Sequence, residues 1–91
     1  MNREEILDAA KHCVCGDREQ DYGTPENSFS NIAALWGAYL GTPITPVDVA
    51  AMMIMLKLGR LEGNQGHVDS WTDIAGYAAC GGEIATEAEG A

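Results

Sequence analysis

Positive charge is scarce in this sequence. Five Lys plus Arg stand against fourteen Asp plus Glu, a formal net charge of −9 over 91 residues. A protein that binds DNA or RNA as a polymer displaces counterions from the phosphates with a cationic surface, and this composition does not supply one. Long apolar runs are missing too. None approaches the ~18 to 20 residues that cross a bilayer, and the opening Met1-Asn2-Arg3-Glu4-Glu5 lacks the basic-then-apolar order of a secretory signal. The expectation is therefore no polymeric nucleic-acid partner, no membrane and a cytoplasmic location. The cysteines are few and odd in number. Cys13, Cys15 and Cys80 make a poor disulfide framework, and a single C-x-C lacks the paired spacing of a zinc site, so free thiols are expected. The glycine-rich phosphate loop, the dinucleotide fingerprint and the His-Glu-x-x-His metal motif are absent as well. Nowhere do β-branched and aromatic residues alternate over a strand-length window, which leaves an all-α architecture.

What is present fits that architecture. An apolar fraction of 46% is enough for one packed domain spanning residues 1–91. Ile6, Ala9, Ala10, Cys13 and Val14 recur at helical spacing and predict a first helix from Asn2 or Arg3 to Cys15, stopped by Gly16. Residues 16–23 read as a polar loop holding one aromatic, Tyr22. Thr24-Pro25 supplies a cap and a proline at the first helical position, predicting a second helix that ends before Gly41-Thr42-Pro43. Thr45-Pro46-Val47-Asp48 is a second start, with Asp48 placed to close a capping box. The third helix, from Pro46 to about Glu62, is apolar nearly all round over its first ten positions. In so short a chain such a helix needs more cover than its neighbours provide, so a homo-oligomer is expected. Asp69 or Ser70 opens a fourth helix carrying Trp71, Ile74, Ala75, Tyr77, Ala78 and Ile84, and the acidic tail thins from about Glu83. Gly76, Gly81 and Gly82 within or near it permit close backbone approach or mark its end. The whole reads as a compact bundle of about four helices.

Chemistry has few places to sit. Lys57 and Arg60, three apart, can point to one side and clamp a phosphate, with Arg18 in the polar loop as a third donor. Tyr22, Trp36, Trp71 and Tyr77 are flat side chains on which a base can stack. The competing reading pairs Lys57 and Arg60 with Glu62, Asp69 or Asp73 at the helix end. Asp69 and Asp73, four apart, can offer oxygen ligands to Mg²⁺. Equally, Ser70-Trp71-Thr72-Asp73 has capping-box spacing, which would leave Asp73 a purely local task. His67 reads as a loop surface residue or a general base. The Met52, Met53, Met55 group reads as adaptable packing.

Asp21-Tyr22-Gly23-Thr24-Pro25-Glu26-Asn27-Ser28-Phe29, Ile32-Ala33-Ala34-Leu35-Trp36 and Asp69-Ser70-Trp71-Thr72-Asp73-Ile74-Ala75-Gly76-Tyr77 together resemble a family of short, uncharacterised tailed-phage and prophage proteins. Pro46-Val47-Asp48-Val49-Ala50 and Lys57-Leu58-Gly59-Arg60-Leu61 fall between them in the same order, and the likeness runs from about Glu4 to Glu83. It implies a bacterial host cell as the setting. More distantly, Lys57, Arg60, Asp69 and Asp73 resemble the second half of the all-α MazG-like nucleoside triphosphate pyrophosphohydrolases, whose four-helix units dimerise around Mg²⁺ held by paired acidic helices. This sequence departs from that pattern, with Ser70 where the last acidic pair needs Glu, and so lacks charge that metal-assisted water attack requires.

Three expectations follow. The first is a phage-encoded homo-oligomer that binds a small nucleotide, with no cofactor. Here Arg18, Lys57 and Arg60 take the phosphates, Tyr22 or Trp71 the base, and Asp73 completes the site. By analogy of size, context and pocket chemistry, the ligand would be a nucleotide signal of bacterial immunity held without turnover. The second is a Mg²⁺-dependent pyrophosphohydrolase using Asp69, Asp73 and either Asp48 or Glu26. The third is an interaction module whose apolar helix docks on a host or virion protein.

Overall fold

The computed structural model describes residues 1–16 and 23–88. Four helices follow one another: α1 (Arg3–Cys15), α2 (Pro25–Leu40), α3 (Pro46–Leu61) and α4 (Val68–Ala88). Among the described residues there is no strand, as the missing alternation requires. No helix among them is long and apolar enough to cross a membrane.

Three helix starts are set by local chemistry. Asn2 caps α1 with a full box, its side chain accepting from the Glu5 N–H at 2.8 Å while its own N–H donates to the Glu5 carboxylate at 3.0 Å. The Thr24 hydroxyl accepts from the Asn27 N–H at 3.4 Å and Pro25 opens α2. Thr45 and Asp48 close the expected box at the head of α3, at 3.0 and 2.9 Å. Gly41 ends α2 in the left-handed region at φ +70°, its N–H bonded to the Gly37 carbonyl at 2.8 Å.

α4 differs from the sequence reading at both ends. It begins at Val68 rather than Asp69 or Ser70, and the His67 carbonyl accepts from the Ser70 and Trp71 N–H groups at 3.2 and 3.5 Å. Ser70 is no cap. It is buried within the helix, its hydroxyl 2.7 Å from His67 Nδ1. At the other end the helix runs on to Ala88, beyond the point where the sequence thins. Gly76 and Gly81 do not break it because both are packing positions. A β-carbon at Gly76 would sit 3.0 Å from Val14 of α1, and one at Gly81 would sit 2.9 Å from the Ala50 methyl of α3. Close packing of α4 on its neighbours offsets the roughly 1 kcal/mol that each glycine costs in helix propensity.

α4 packs most extensively on α3 and then on α1, with α2 laid against α3. The core between α2, α3 and α4 holds Phe29, Ala33, Val49, Ala50, Cys80 and Ile84, flanked by Val14, Ile32, Trp36, Ile44, Met53 and Tyr77. α3 is not fully covered within the chain: Met55, Leu56 and Leu58 are exposed, as are Leu35, Tyr39 and Leu40 of α2.

Candidate functional site

A cavity of about 370 Å³ opens among all four helices. Helical spacing builds it: Pro25, Ser28, Phe29 and Ile32 form a stripe of α2, and Thr72, Asp73, Gly76, Tyr77 and Cys80 form a stripe of α4. Cys13 and Val14 of α1, Gly23 ahead of α2, and Val49 and Met53 of α3 complete the lining. Gly76, without a side chain in the middle of the α4 stripe, helps keep the space open. The volume lies toward the small end of ligand sites, about 300 to 1,000 Å³, and the mostly apolar wall with a few polar groups is what such sites share. Phe29 and Tyr77 set their rings on the wall 6.1 Å apart and tilted by 36°.

Two polar groups on α4 stand out against that wall. Asp73 Oδ2 lies 2.9 Å from Lys57 Nζ, joining α4 to α3 by an ion pair of which both members are largely covered. Beside it Thr72 is only 7% exposed, and its hydroxyl has no hydrogen-bond partner among the described residues. A buried hydroxyl left unpaired costs about 1 to 3 kcal/mol, so its place in a cavity wall is a feature to be explained.

Beyond the lining residues of the same two helices, α2 and α4, three carboxylates converge. Glu26 follows Pro25 at the head of α2, Glu83 and Glu87 lie one and two turns beyond Cys80 on α4, and one oxygen from each falls within 4.8 Å of the others. A hydrogen bond from its own backbone N–H holds the Glu26 carboxyl below its ordinary value of 4.5; partial burial acts the other way, and hydrogen bonds with Glu83, Glu87 and Thr24 add to the lowering. An all-oxygen set of this kind suits a hard divalent cation.

The residues singled out by sequence divide unevenly. Lys57 and Asp73 are brought together, as the pairing alternative anticipated, and Asp73 and Tyr77 line the cavity. Arg60 is exposed in the last turn of α3 and is not part of the wall. Trp71 is also outside the wall, its indole N–H donating to the Gln65 carbonyl at 2.9 Å, so it fastens the α3–α4 loop. Asp69 is exposed in the first turn of α4, away from the carboxylate group. His67 is exposed and engaged with Ser70. Arg18 and Tyr22 lie outside the described residues. Sequence reasoning missed Phe29 and Thr72 as wall residues and Glu83 and Glu87 as partners of Glu26. The stripe 25, 28, 29, 32 on α2 facing 72, 73, 76, 77, 80 on α4 was the available signal.

The chain belongs to the family described as Domain of unknown function (DUF6378), whose model matches residues 5–85. Among curated relatives, it is 44% identical over 77 residues to the Gene 55 protein of Mycobacterium phage D29, covering 85% of this chain and 51% of that one. It is 50% identical over 74 residues to the Gene 55 protein of Mycobacterium phage L5, covering 80% and 47%. The chain thus spans about half the length of the curated relatives it matches. No solved structure matches significantly.

Proposed function

We propose that this chain binds a small nucleotide, with the base in the four-helix cavity and the phosphates directed toward the edge where Glu26, Glu83 and Glu87 converge. The observation that carries the reading is the cavity itself: an apolar slot with two aromatic rings, one Lys57–Asp73 pair and one unpaired hydroxyl. Apolar walls with a few placed polar groups are how proteins hold flat heterocycles. With so acidic a chain, phosphates need a counter-charge, and a divalent cation on the three carboxylates provides it. Because the relatives are phage proteins, the reading extends to sequestration, in the host cytoplasm, of a nucleotide signal of bacterial immunity. Retention without turnover needs a cavity and phosphate counter-charge, and no attacking water.

The test is native mass spectrometry of the purified protein with a nucleotide panel and Mg²⁺. A retained nucleotide of intact mass, weakened at least tenfold by Ser28→Leu, which narrows the slot from α2, is the expected result. An empty protein across the panel overturns the reading.

A second reading, Mg²⁺-dependent hydrolysis of a nucleoside triphosphate, is favoured by the carboxylate group alone. Neither the family nor the two relatives is described as a pyrophosphohydrolase. The carboxylates concerned would be Glu26, Glu83 and Glu87, not Asp69 and Asp73. Release of pyrophosphate in the same panel, abolished by Glu83→Gln with the fold intact, would establish it.

A further inference from the structure

The two polar groups on the α4 wall carry a statement about which base the cavity takes. We infer that Asp73 and Thr72 read the Watson–Crick edge of guanine, an inference that rests on nucleotide binding as proposed above. A carboxylate only accepts hydrogen bonds, with two oxygens and about four lone-pair sites. Lys57 engages Oδ2 from the α3 side, which fixes the carboxylate at the cavity wall and leaves it acceptor capacity for a ligand. Its natural complement is a pair of adjacent N–H donors on one planar edge, and bidentate recognition of that kind is what a carboxylate does best. Among the common bases guanine presents such a pair, N1–H beside the 2-amino group. Adenine turns a ring nitrogen lone pair toward the same position, and a buried acceptor facing an acceptor is penalised rather than merely unrewarded.

Thr72 supplies the second half of the argument. Thr72 lines the same cavity, and its hydroxyl, closed off from solvent, has no partner among the described residues. A hydroxyl both donates and accepts, so a turn about the Thr72 χ1 that brings it to the cavity surface lets it give its proton to the O6 carbonyl that flanks N1–H in guanine. The unpaired group and the acceptor-only group belong to consecutive residues of α4 that both line the cavity, and a ligand with adjacent acceptor and donors would satisfy both. Phe29 and Tyr77 are the aromatic residues of the lining beside which the base would lie.

The chemistry sets its own experiment, equilibrium dialysis of the full chain against GMP, IMP, AMP and XMP with Mg²⁺. The expected order is GMP tightest, IMP weaker by roughly tenfold for the lost 2-amino donor, and AMP weaker still. Asp73→Asn replaces one acceptor by a donor, which matches xanthine, whose C2 carbonyl stands where guanine has its amino group. XMP is then expected to overtake GMP. Asp73→Asn also weakens the bond to Lys57, so Thr72→Val provides a variant of nearly the same shape that keeps the ion pair. Removing an unpaired buried hydroxyl should leave the melting temperature unchanged or raised while GMP affinity falls severalfold. Equal retention of GMP and AMP, or a preference for AMP, overturns the base assignment and leaves nucleotide binding standing. A GMP preference unmoved by both substitutions overturns the role of Asp73 and Thr72. Retention of none of the four overturns this inference, while the wider nucleotide panel decides the proposed function.

Discussion

Gly81 and Gly82 are neighbours on α4 with opposite surroundings. A β-carbon at Gly81 would lie 2.9 Å from the methyl of Ala50, which is fixed to the backbone of α3 and cannot swing aside, whereas Gly82 faces open space. Gly81→Ala should therefore push the two helices apart, an overpacking cost of about 1 to 3 kcal/mol that outweighs the roughly 1 kcal/mol gained in helix propensity. Gly82→Ala collects the propensity without the clash and should stabilise by up to about 1 kcal/mol. Thermal melts of the two variants are expected to move in opposite directions. A one-letter code cannot separate these glycines, since both lower the same intrinsic propensity. Only the facing Ala50 tells them apart. Trp71 makes the same point: as an aromatic beside Asp73 it reads as a stacking platform, yet its indole N–H is committed to the Gln65 carbonyl.

Capped helix starts were the most legible features because capping is decided by four or five consecutive residues, whereas α4, where Ser70 is no cap, differed from the sequence reading at both ends. The Thr45–Asp48 box was readable for that reason, and Thr45→Ala should cost about 1 kcal/mol, measurable by urea denaturation. The carboxylate group was not legible, because it joins the first turn of α2 to the last turns of α4 across a long sequence separation. It makes its own prediction in pH. The Glu26 carboxyl is lowered in the folded protein relative to 4.5, so its contribution to stability is present above that value and is lost as pH falls through the folded value. A melting curve followed downward from about pH 6 should show a fall in stability below about pH 4.5, smaller in Glu26→Gln. Addition of Mg²⁺ near neutral pH should raise the melting temperature of the native chain more than that of Glu83→Gln.

Across the whole molecule, α3 reads as apolar nearly all round over its first ten positions, of which Val47 and Met55 are exposed, followed by exposed Leu56 and Leu58 and joined on α2 by Leu35 at 71% and Tyr39 at 89% exposure. Self-association is the expectation these residues raise, and sedimentation with and without Leu35→Glu and Tyr39→Glu tests it: the native chain should run larger than a monomer and the double variant smaller. All-α architecture was readable from periodicity and missing strand signals, but which faces meet was not, because helical periodicity places apolar residues on a face without naming its partner. The core that results leaves its larger members, Phe29 and Ile84, slightly exposed, and among the described residues the largest fully buried side chains are Val49 and Ser70. Calorimetry of a monomeric form should therefore give a heat-capacity increment below the ~1.1 to 1.4 kcal/mol/K expected at this length, since that increment tracks the apolar surface released to water. The stability curve would be correspondingly flat, and the protein would lose little of its folded population between a cold and a warm host.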